Sequence, residues 1–124
     1  MKKKERRKTM KVIYVISPYR SKTINGVHEN IEVARKAAVK LWRMGFVVLC
    51  PHLNSAFMDG VVSDDRFLEA GLELLKRCDG VYLTEVACSE GCRQEEVVAR
   101  INNIETFTEG DDKALSAWQV KQTN

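Results

Sequence analysis

Short apolar runs alternate along the chain with longer amphipathic stretches, and this alternation is the feature that most constrains the fold. The apolar runs are rich in β-branched residues and predict buried strands at 11–17, 46–50, 80–84 and 104–108. Apolar residues at helical spacing predict helices over 30–44, 63–77, 89–103 and from Asp112 onward. Buried strands joined by helices are typical of a parallel sheet covered on both faces. The sequence therefore predicts an α/β fold, a doubly wound parallel sheet of four to five strands in a Rossmann- or flavodoxin-like three-layer sandwich.

Residues at the ends of these elements support the boundaries. Ser63 is suited to cap the second helix, and Gly45 is suited to end the first. The pair Asn25-Gly26 predicts a turn ahead of the first helix, and 52–62 predicts a loop ahead of the second.

The positive charge of the chain is concentrated at its start. The whole chain carries a net charge of +3, but the first eight residues carry +5 and the remaining 116 carry −2. A domain with that charge is not built to clamp nucleic acid. We expect a disordered basic tail at 1–9, either a solvated lead-in or a localisation or phosphate-binding arm, and a single domain at 10–124.

The composition is that of an ordinary globular domain. Hydrophobic residues make up 44% and charged residues 30%, and no apolar run approaches the roughly 20 residues of a membrane-spanning helix. The chain has four cysteines whose spacing matches no zinc-binding pattern: Cys50, Cys78, Cys88 and Cys92. The sequence before the first strand does not predict a secretory signal. We therefore expect a cytoplasmic protein with reduced thiols and without a metal or a cofactor.

Parallel sheets bind ligands at the carboxyl ends of their strands, which confines a site to a few segments. The residues at the ends of the first two strands are Ser17, Pro18, Tyr19, Arg20, Pro51, His52, Leu53 and Asn54. The segment 85–95 follows the third strand. His52 is equally consistent with a hydrogen-bonded structural histidine, and Tyr14 with a core residue.

No dinucleotide-binding, P-loop or nucleophile-elbow motif occurs, which leaves carboxylate chemistry. In the segment 89–99 (SEGCRQEEVVA), Ser89 and Gly91 would open a helix whose free N–H groups bind an anion. Glu95 follows one turn later on the same side and could attack an electrophilic carbon. The competing interpretation of Glu95 is a solvated surface glutamate.

Three segments together carry a family resemblance. They are 13–20 (IYVISPYR) with Asn30, 46–54 (FVVLCPHLN), and 78–81 (CDGV) with 89–99, and they lie within the first 99 residues. In order, they resemble the opening strand and turn, the second strand and the nucleophile segment of the nucleoside 2-deoxyribosyltransferase superfamily. That superfamily includes the 2'-deoxynucleoside 5'-phosphate N-hydrolases, and the likeness is closer still to its small phage-type relatives.

The resemblance implies an enzyme that cleaves or transfers the N-glycosidic bond of a 2'-deoxynucleoside or its 5'-phosphate. It implies Glu95 as the nucleophile at C1' of the sugar and Tyr14 as the residue that orients it. Ser17 and Arg20 would hold the 5' side of the nucleotide, and Ser89 would suit a phosphate. The other expected substrate-binding residues are Pro18, His52, Asn54 and Gly91. Relatives assemble into homodimers or larger oligomers, for which the apolar residues of 52–62, Leu115 and Trp118 would suit an interface.

One position departs from the family pattern. Gly71 stands where relatives commonly carry an acid that handles the leaving base. The acidic residues near it in sequence are Asp64, Asp65, Glu69 and Glu73. Ser17 also stands where many relatives have glycine. A non-catalytic nucleotide-binding protein of the same fold is therefore the alternative, and a nucleic-acid-associated protein that acts through the basic tail is a weaker one.

Overall fold

One sheet of four parallel strands, in the order β2-β1-β3-β4, organises the chain. The structure is a computed structural model and describes residues 10–121, so the predicted basic tail lies outside the described residues. The elements are β1 (Val12–Ile16), α1 (Ile24–Arg43), β2 (Val47–Leu49), α2 (Pro51–Asn54), α3 (Asp64–Leu75), β3 (Gly80–Leu83), α4 (Glu90–Ile101), β4 (Glu105–Thr108) and α5 (Asp112–Lys121). The predicted fold class is confirmed.

Strand β1 lies inside the sheet, and its side chains alternate between the two faces. Ile13 and Val15 pack on one face in an apolar cluster with residues of α1 and α5. Tyr14 and Ile16 pack on the other face with residues of α3 and α4. The helices therefore cover both faces, and Tyr14 lies on the face shared with α3 and α4.

Helix α1 begins six residues earlier than the predicted range of 30–44. The hydroxyl of Thr23 accepts a hydrogen bond from the Gly26 N–H at 2.9 Å and caps the helix, so Asn25-Gly26 forms its first turn. A Cβ at Gly26 would overlap the Ser21 side chain, so the glycine reflects a close approach and not a turn. The turn prediction was wrong because a capping hydroxyl two residues upstream outweighs the local signal.

The predicted loop at 52–62 is partly helical. Pro51 occupies the first turn of α2, where its missing N–H costs nothing. After α2 the chain turns through Phe57, whose φ is 65°, and reaches Ser63. Ser63 caps α3 as predicted, since its hydroxyl accepts from the Arg66 N–H at 3.1 Å.

Two apolar residues of α5, Leu115 and Trp118, pack into the interior of the chain. Leu115 is fully buried, and Trp118 stacks on Phe46 and packs against Phe107. The expectation that Leu115 serves an interface between copies was therefore wrong, because the residue is already covered by its own sheet. Among residues 10–121, no helix combines the length and apolar character needed to cross a membrane.

Candidate active site

A cavity of about 430 Å³ opens at the carboxyl ends of β1 and β2 and is walled by α3 and α4. This volume is within the range of small-molecule sites. Its lining residues are Tyr14, Ser17, Tyr19, Arg20, Pro51, His52, Ser55, Asp59, Asp64, Phe67, Leu68, Gly71, Ser89, Glu90, Gly91, Cys92 and Glu95. The cavity thus lies at the sheet edge where doubly wound folds bind their ligands.

Tyr14 and Glu95 form a hydrogen-bonded pair in the wall of this cavity. The Tyr14 hydroxyl donates to Glu95 Oε2 at 2.6 Å. Tyr14 comes from the middle of β1 and is fully buried, whereas Glu95 comes from α4 and is partly buried. The short distance and the single donor hold one carboxyl oxygen in place and direct the group toward the cavity.

Burial changes the pKa values of both members of the pair. Removal of the Glu95 carboxyl from water raises its pKa to about 7, and the hydrogen bond from Tyr14 partly opposes this. Burial, followed by the charge of Glu95, raises the pKa of Tyr14, so the phenol remains a donor. Glu95 is therefore a carboxyl group that changes its protonation state close to neutral pH, as functional carboxyl groups often do.

Gly71 of α3 is buried directly opposite this pair. A Cβ at this position would lie 3.0 Å from the Tyr14 hydroxyl oxygen and 3.9 Å from Glu95 Oε2. The absence of a side chain thus leaves the space beside the carboxyl group open. Of the acidic residues near Gly71 in sequence, Asp64 lines the cavity, while Asp65, Glu69 and Glu73 do not line it.

Arg20 is paired with two carboxylates at the rim of the cavity. Its Nη1 donates to Asp59 Oδ2 at 2.8 Å and its Nη2 to Asp64 Oδ1 at 2.6 Å. Tyr19 donates its hydroxyl to the other oxygen of Asp59 at 2.8 Å. These contacts lower the pKa of Asp59, with the Tyr19 hydrogen bond as the largest cause.

The loop that carries Tyr19 and Arg20 is held by α1. The Asn30 side-chain amide donates to the carbonyl oxygens of Tyr19 at 3.1 Å and Arg20 at 3.2 Å. Because α1 packs on the sheet through buried apolar residues, these bonds tie the loop to a rigid element. Asn30 therefore positions the rim of the cavity without lining it.

His52 and Ser17 line the cavity through side chains that already have partners. His52 Nε2 lies 2.9 Å from the Pro18 carbonyl oxygen, which can only accept, so Nε2 carries the proton. Burial lowers the pKa of His52, so the ring is neutral at pH 7. Ser17 and Thr84 share a buried hydrogen bond of 2.8 Å between their hydroxyl oxygens.

Helix α4 presents its N-terminus to the cavity. Ser89 caps the helix, since its hydroxyl accepts from the Cys92 N–H at 3.2 Å. Cys92 and Glu95 follow three residues apart and face the same side, which brings Glu95 to the cavity wall. The cap thus helps to fix the register of the helix that carries the candidate nucleophile.

Replacing Ser89 by alanine is expected to lower the free energy of unfolding by about 1 kcal/mol, because the Cys92 N–H loses its acceptor. Ser89→Thr retains the hydroxyl and is the matched control. Urea denaturation of the three proteins measures the difference. If the alanine and serine proteins are equally stable, Ser89 contributes nothing as a cap.

The structure brings together seven of the nine residues singled out from the sequence: Tyr14, Ser17, Arg20, His52, Ser89, Gly91 and Glu95. Pro18 and Asn54 do not line the cavity. Asn54 is exposed because α2 turns the chain by about 100° per residue, which directs a residue two positions after His52 to the opposite side. Pro18 contributes its carbonyl oxygen to His52 instead.

Several cavity residues were not anticipated, among them Phe67 and Leu68. They share one face of α3 with Asp64 and Gly71, which the sequence had pointed to, at spacings of three and four residues, a periodicity that is visible in the sequence. Ser55 shares the His52 face of α2 for the same reason. Asp59 has no such signal, since it lies in an irregular loop.

The cysteines and acidic residues of the described part of the chain form no metal centre. Cys50, Cys78 and Cys92 are buried free thiols, and Cys88 is an exposed one. Within residues 10–121, no group of three or more His, Cys, Asp or Glu side chains is arranged to hold a metal ion.

Comparison with known families shows which family this chain belongs to. A family model described as "Domain of unknown function (DUF7768)" matches residues 11–108, which include all four strands of the sheet. The chain belongs to the DUF7768 family. The matched range of the DUF7768 domain also contains every residue that lines the cavity.

The DUF7768 domain also resembles a solved structure, the 2-deoxyribosyltransferase from the psychrotolerant bacterium Bacillus psychrosaccharolyticus, described as a biocatalyst for the synthesis of nucleosides. The TM-score is 0.60 at 20% sequence identity, over 78% of this chain and 70% of that chain. At this identity the likeness shows a shared fold, so the resemblance found in the sequence is confirmed at the level of the fold. No curated protein matches the chain.

Proposed function

We propose that this protein cleaves or transfers the N-glycosidic bond of a 2'-deoxynucleoside or its 5'-phosphate, with Glu95 as the nucleophile. The observation that carries the proposal is the Glu95 carboxyl group at the cavity wall, held at 2.6 Å by the buried Tyr14 hydroxyl. The fold shared with a 2-deoxyribosyltransferase supports the choice of a nucleoside as substrate.

In the first step, an ionised Glu95 oxygen attacks C1' of the sugar. A C–O bond forms to the carboxylate while the C1'–N bond breaks, and the leaving base takes the bonding electron pair and then a proton. The positive charge that develops at C1' is adjacent to the carboxylate, which stabilises it. A deoxyribose is favoured because the missing 2'-hydroxyl makes an oxocarbenium-like state easier to reach.

In the second step, the glycosyl ester is released from Glu95. Water attacks C1' and gives the free sugar, or the nitrogen of a second base attacks and gives a new nucleoside. Either route regenerates the carboxylate and releases one proton. The open space that Gly71 leaves beside Glu95 Oε2 is available to the incoming water.

Gly71 also supports a second candidate, a nucleotide-binding protein without turnover. No acidic side chain projects from this position toward the base, and the loss of a general acid typically lowers a rate by about 10²- to 10⁴-fold. Among the acidic residues of α3, Asp64 is the one that lines the same cavity. Tight binding of a nucleoside without release of its base would select this candidate.

The test is to incubate the protein with each natural 2'-deoxynucleoside and its 5'-monophosphate and to measure free base by chromatography. We expect release of base from at least one of them, and exchange when a second base is added if the protein is a transferase. The absence of release from every substrate, at every pH between 5 and 9, would contradict the catalytic proposal.

A further inference from the structure

The charge of Arg20 is already compensated within the chain. Its two guanidinium contacts go to Asp59 and Asp64, both of which line the same cavity. Both carboxylates pair with one guanidinium, so the three side chains together carry a net charge of −1. A phosphate at Arg20 would have to use the remaining N–H groups, beside two carboxylates that repel it.

The N-terminus of α4 is a second place that favours an anion, and its partial positive charge already has a negative side chain near it. Ser89 already uses its hydroxyl to cap the helix, and Glu90 is the first residue of α4 and lines the cavity. The carboxylate of Glu90 lies where the helix dipole favours a negative charge. A phosphate bound at this helix end would be repelled by the negative charge of Glu90.

The lining of the cavity is acidic as a whole. Among the lining residues in the described part of the chain, Arg20 is the only lysine or arginine. The acidic lining residues are Asp59, Asp64, Glu90 and Glu95. Even with Glu95 protonated, the cavity is negative by two charges, and a phosphate monoester would add about −1.5 to −2 at pH 7.

From this distribution of charge we infer that the site takes an unphosphorylated nucleoside and rejects the 5'-monophosphate, and that Asp59 and Asp64 determine this choice. The inference rests on the proposed function, since it takes a nucleoside to be the ligand. Uncharged sugar hydroxyls can donate to carboxylate oxygens, whereas a phosphate is repelled by them. Pairing with Arg20 fixes the two carboxylates at the rim of the cavity.

The experiment measures binding without turnover, in the full chain carrying Glu95→Gln. Calorimetry with each natural 2'-deoxynucleoside and its 5'-monophosphate, at low and high salt, measures which of the two ligands binds more tightly. We expect the nucleoside to bind about tenfold or more tightly at low salt, with a smaller difference at high salt because the repulsion is screened. Tighter binding of the monophosphate would overturn this inference and leave the proposed function intact, whereas no binding of either ligand would overturn both.

A charge variant tests the assignment to Asp59 and Asp64. Added to Glu95→Gln, the pair Asp59→Asn and Asp64→Asn is expected to increase monophosphate affinity by about tenfold relative to the nucleoside, since Arg20 is then uncompensated. The pair Asp65→Asn and Glu69→Gln is the matched control, because it also removes two negative charges, from residues of α3 outside the cavity lining. An unchanged ratio in the double variant, or an equal shift in the control, would overturn the assignment. Both aspartates are exposed, so the variants should fold.

Discussion

Replacing Glu95 by glutamine is expected to lower the rate of base release by about 10³-fold or more, because an amide cannot form the glycosyl ester. Glutamine keeps the size of the side chain and still offers an oxygen to the Tyr14 hydroxyl, so the cavity should retain its shape. Single-turnover measurement of free base, with the substrate identified for the wild type, gives the ratio of the two rates.

Glu96→Gln provides the matched control for this variant. Glu96 is the next residue of α4, does not line the cavity, and pairs with Arg100 at 2.7 Å. Its replacement is expected to change the rate by no more than about twofold. A wild-type rate in Glu95→Gln would exclude the residue as nucleophile, and an equal loss in both variants would point to damage of the helix.

The free energy of unfolding of the wild type is expected to depend on pH through Glu95, and the Glu95→Gln protein should lose this dependence. The folded chain holds the Glu95 pKa at about 7 against an ordinary value of 4.5, so between these pH values it binds more protons than the unfolded chain. The free energy of unfolding of the wild type therefore falls as pH rises through this window, by on the order of 3 kcal/mol. Urea denaturation at pH 4.5 and 8 should show a smaller fall for Glu95→Gln.

Replacing Tyr14 by phenylalanine is expected to lower kcat/KM at pH 7 by about 10- to 100-fold. The Tyr14 hydroxyl orients the carboxylate and lowers its pKa, so its loss leaves less Glu95 ionised and less well placed. In the wild type we expect the rate to rise as pH increases through about 7, where Glu95 ionises. In Tyr14→Phe the midpoint of this rise should move to higher pH.

Tyr82→Phe is the control for the loss of a buried tyrosine hydroxyl. Tyr82 is fully buried in β3 but packs in the cluster on the opposite face, where its hydroxyl meets Lys40 Nζ at 3.4 Å. Its replacement should leave the midpoint of the pH profile unchanged. If the midpoint of Tyr14→Phe stays at the wild-type value or falls, the hydroxyl does not set the ionisation of Glu95.

Local patterns in the sequence were sufficient for most of the elements. The strand predicted at 80–84 is observed as Gly80–Leu83, and the predicted cap at Ser63 and helix start at Ser89 are observed, because burial and capping impose a spacing within a few residues. The start of α1 was missed because the weak turn signal of Asn25-Gly26 competes with a stronger cap at Thr23. The spacing of Asp64, Phe67 and Gly71 shows that they share one face of a helix. The spacing alone does not show that this face lines a cavity.

The sequence by itself determined the α/β class of this protein, the order of its strands and longer helices and, through a family resemblance, the candidate Glu95. Only the tertiary structure decided that Tyr14, 81 positions away, donates to that carboxyl group. It also decided that Arg20 is paired with Asp59 and Asp64, 39 and 44 positions further on. The physical reason is that hydrophobic periodicity and capping act between near neighbours, whereas the charge and hydrogen bonding of a site depend on which strand ends and helix faces the packed sheet brings together.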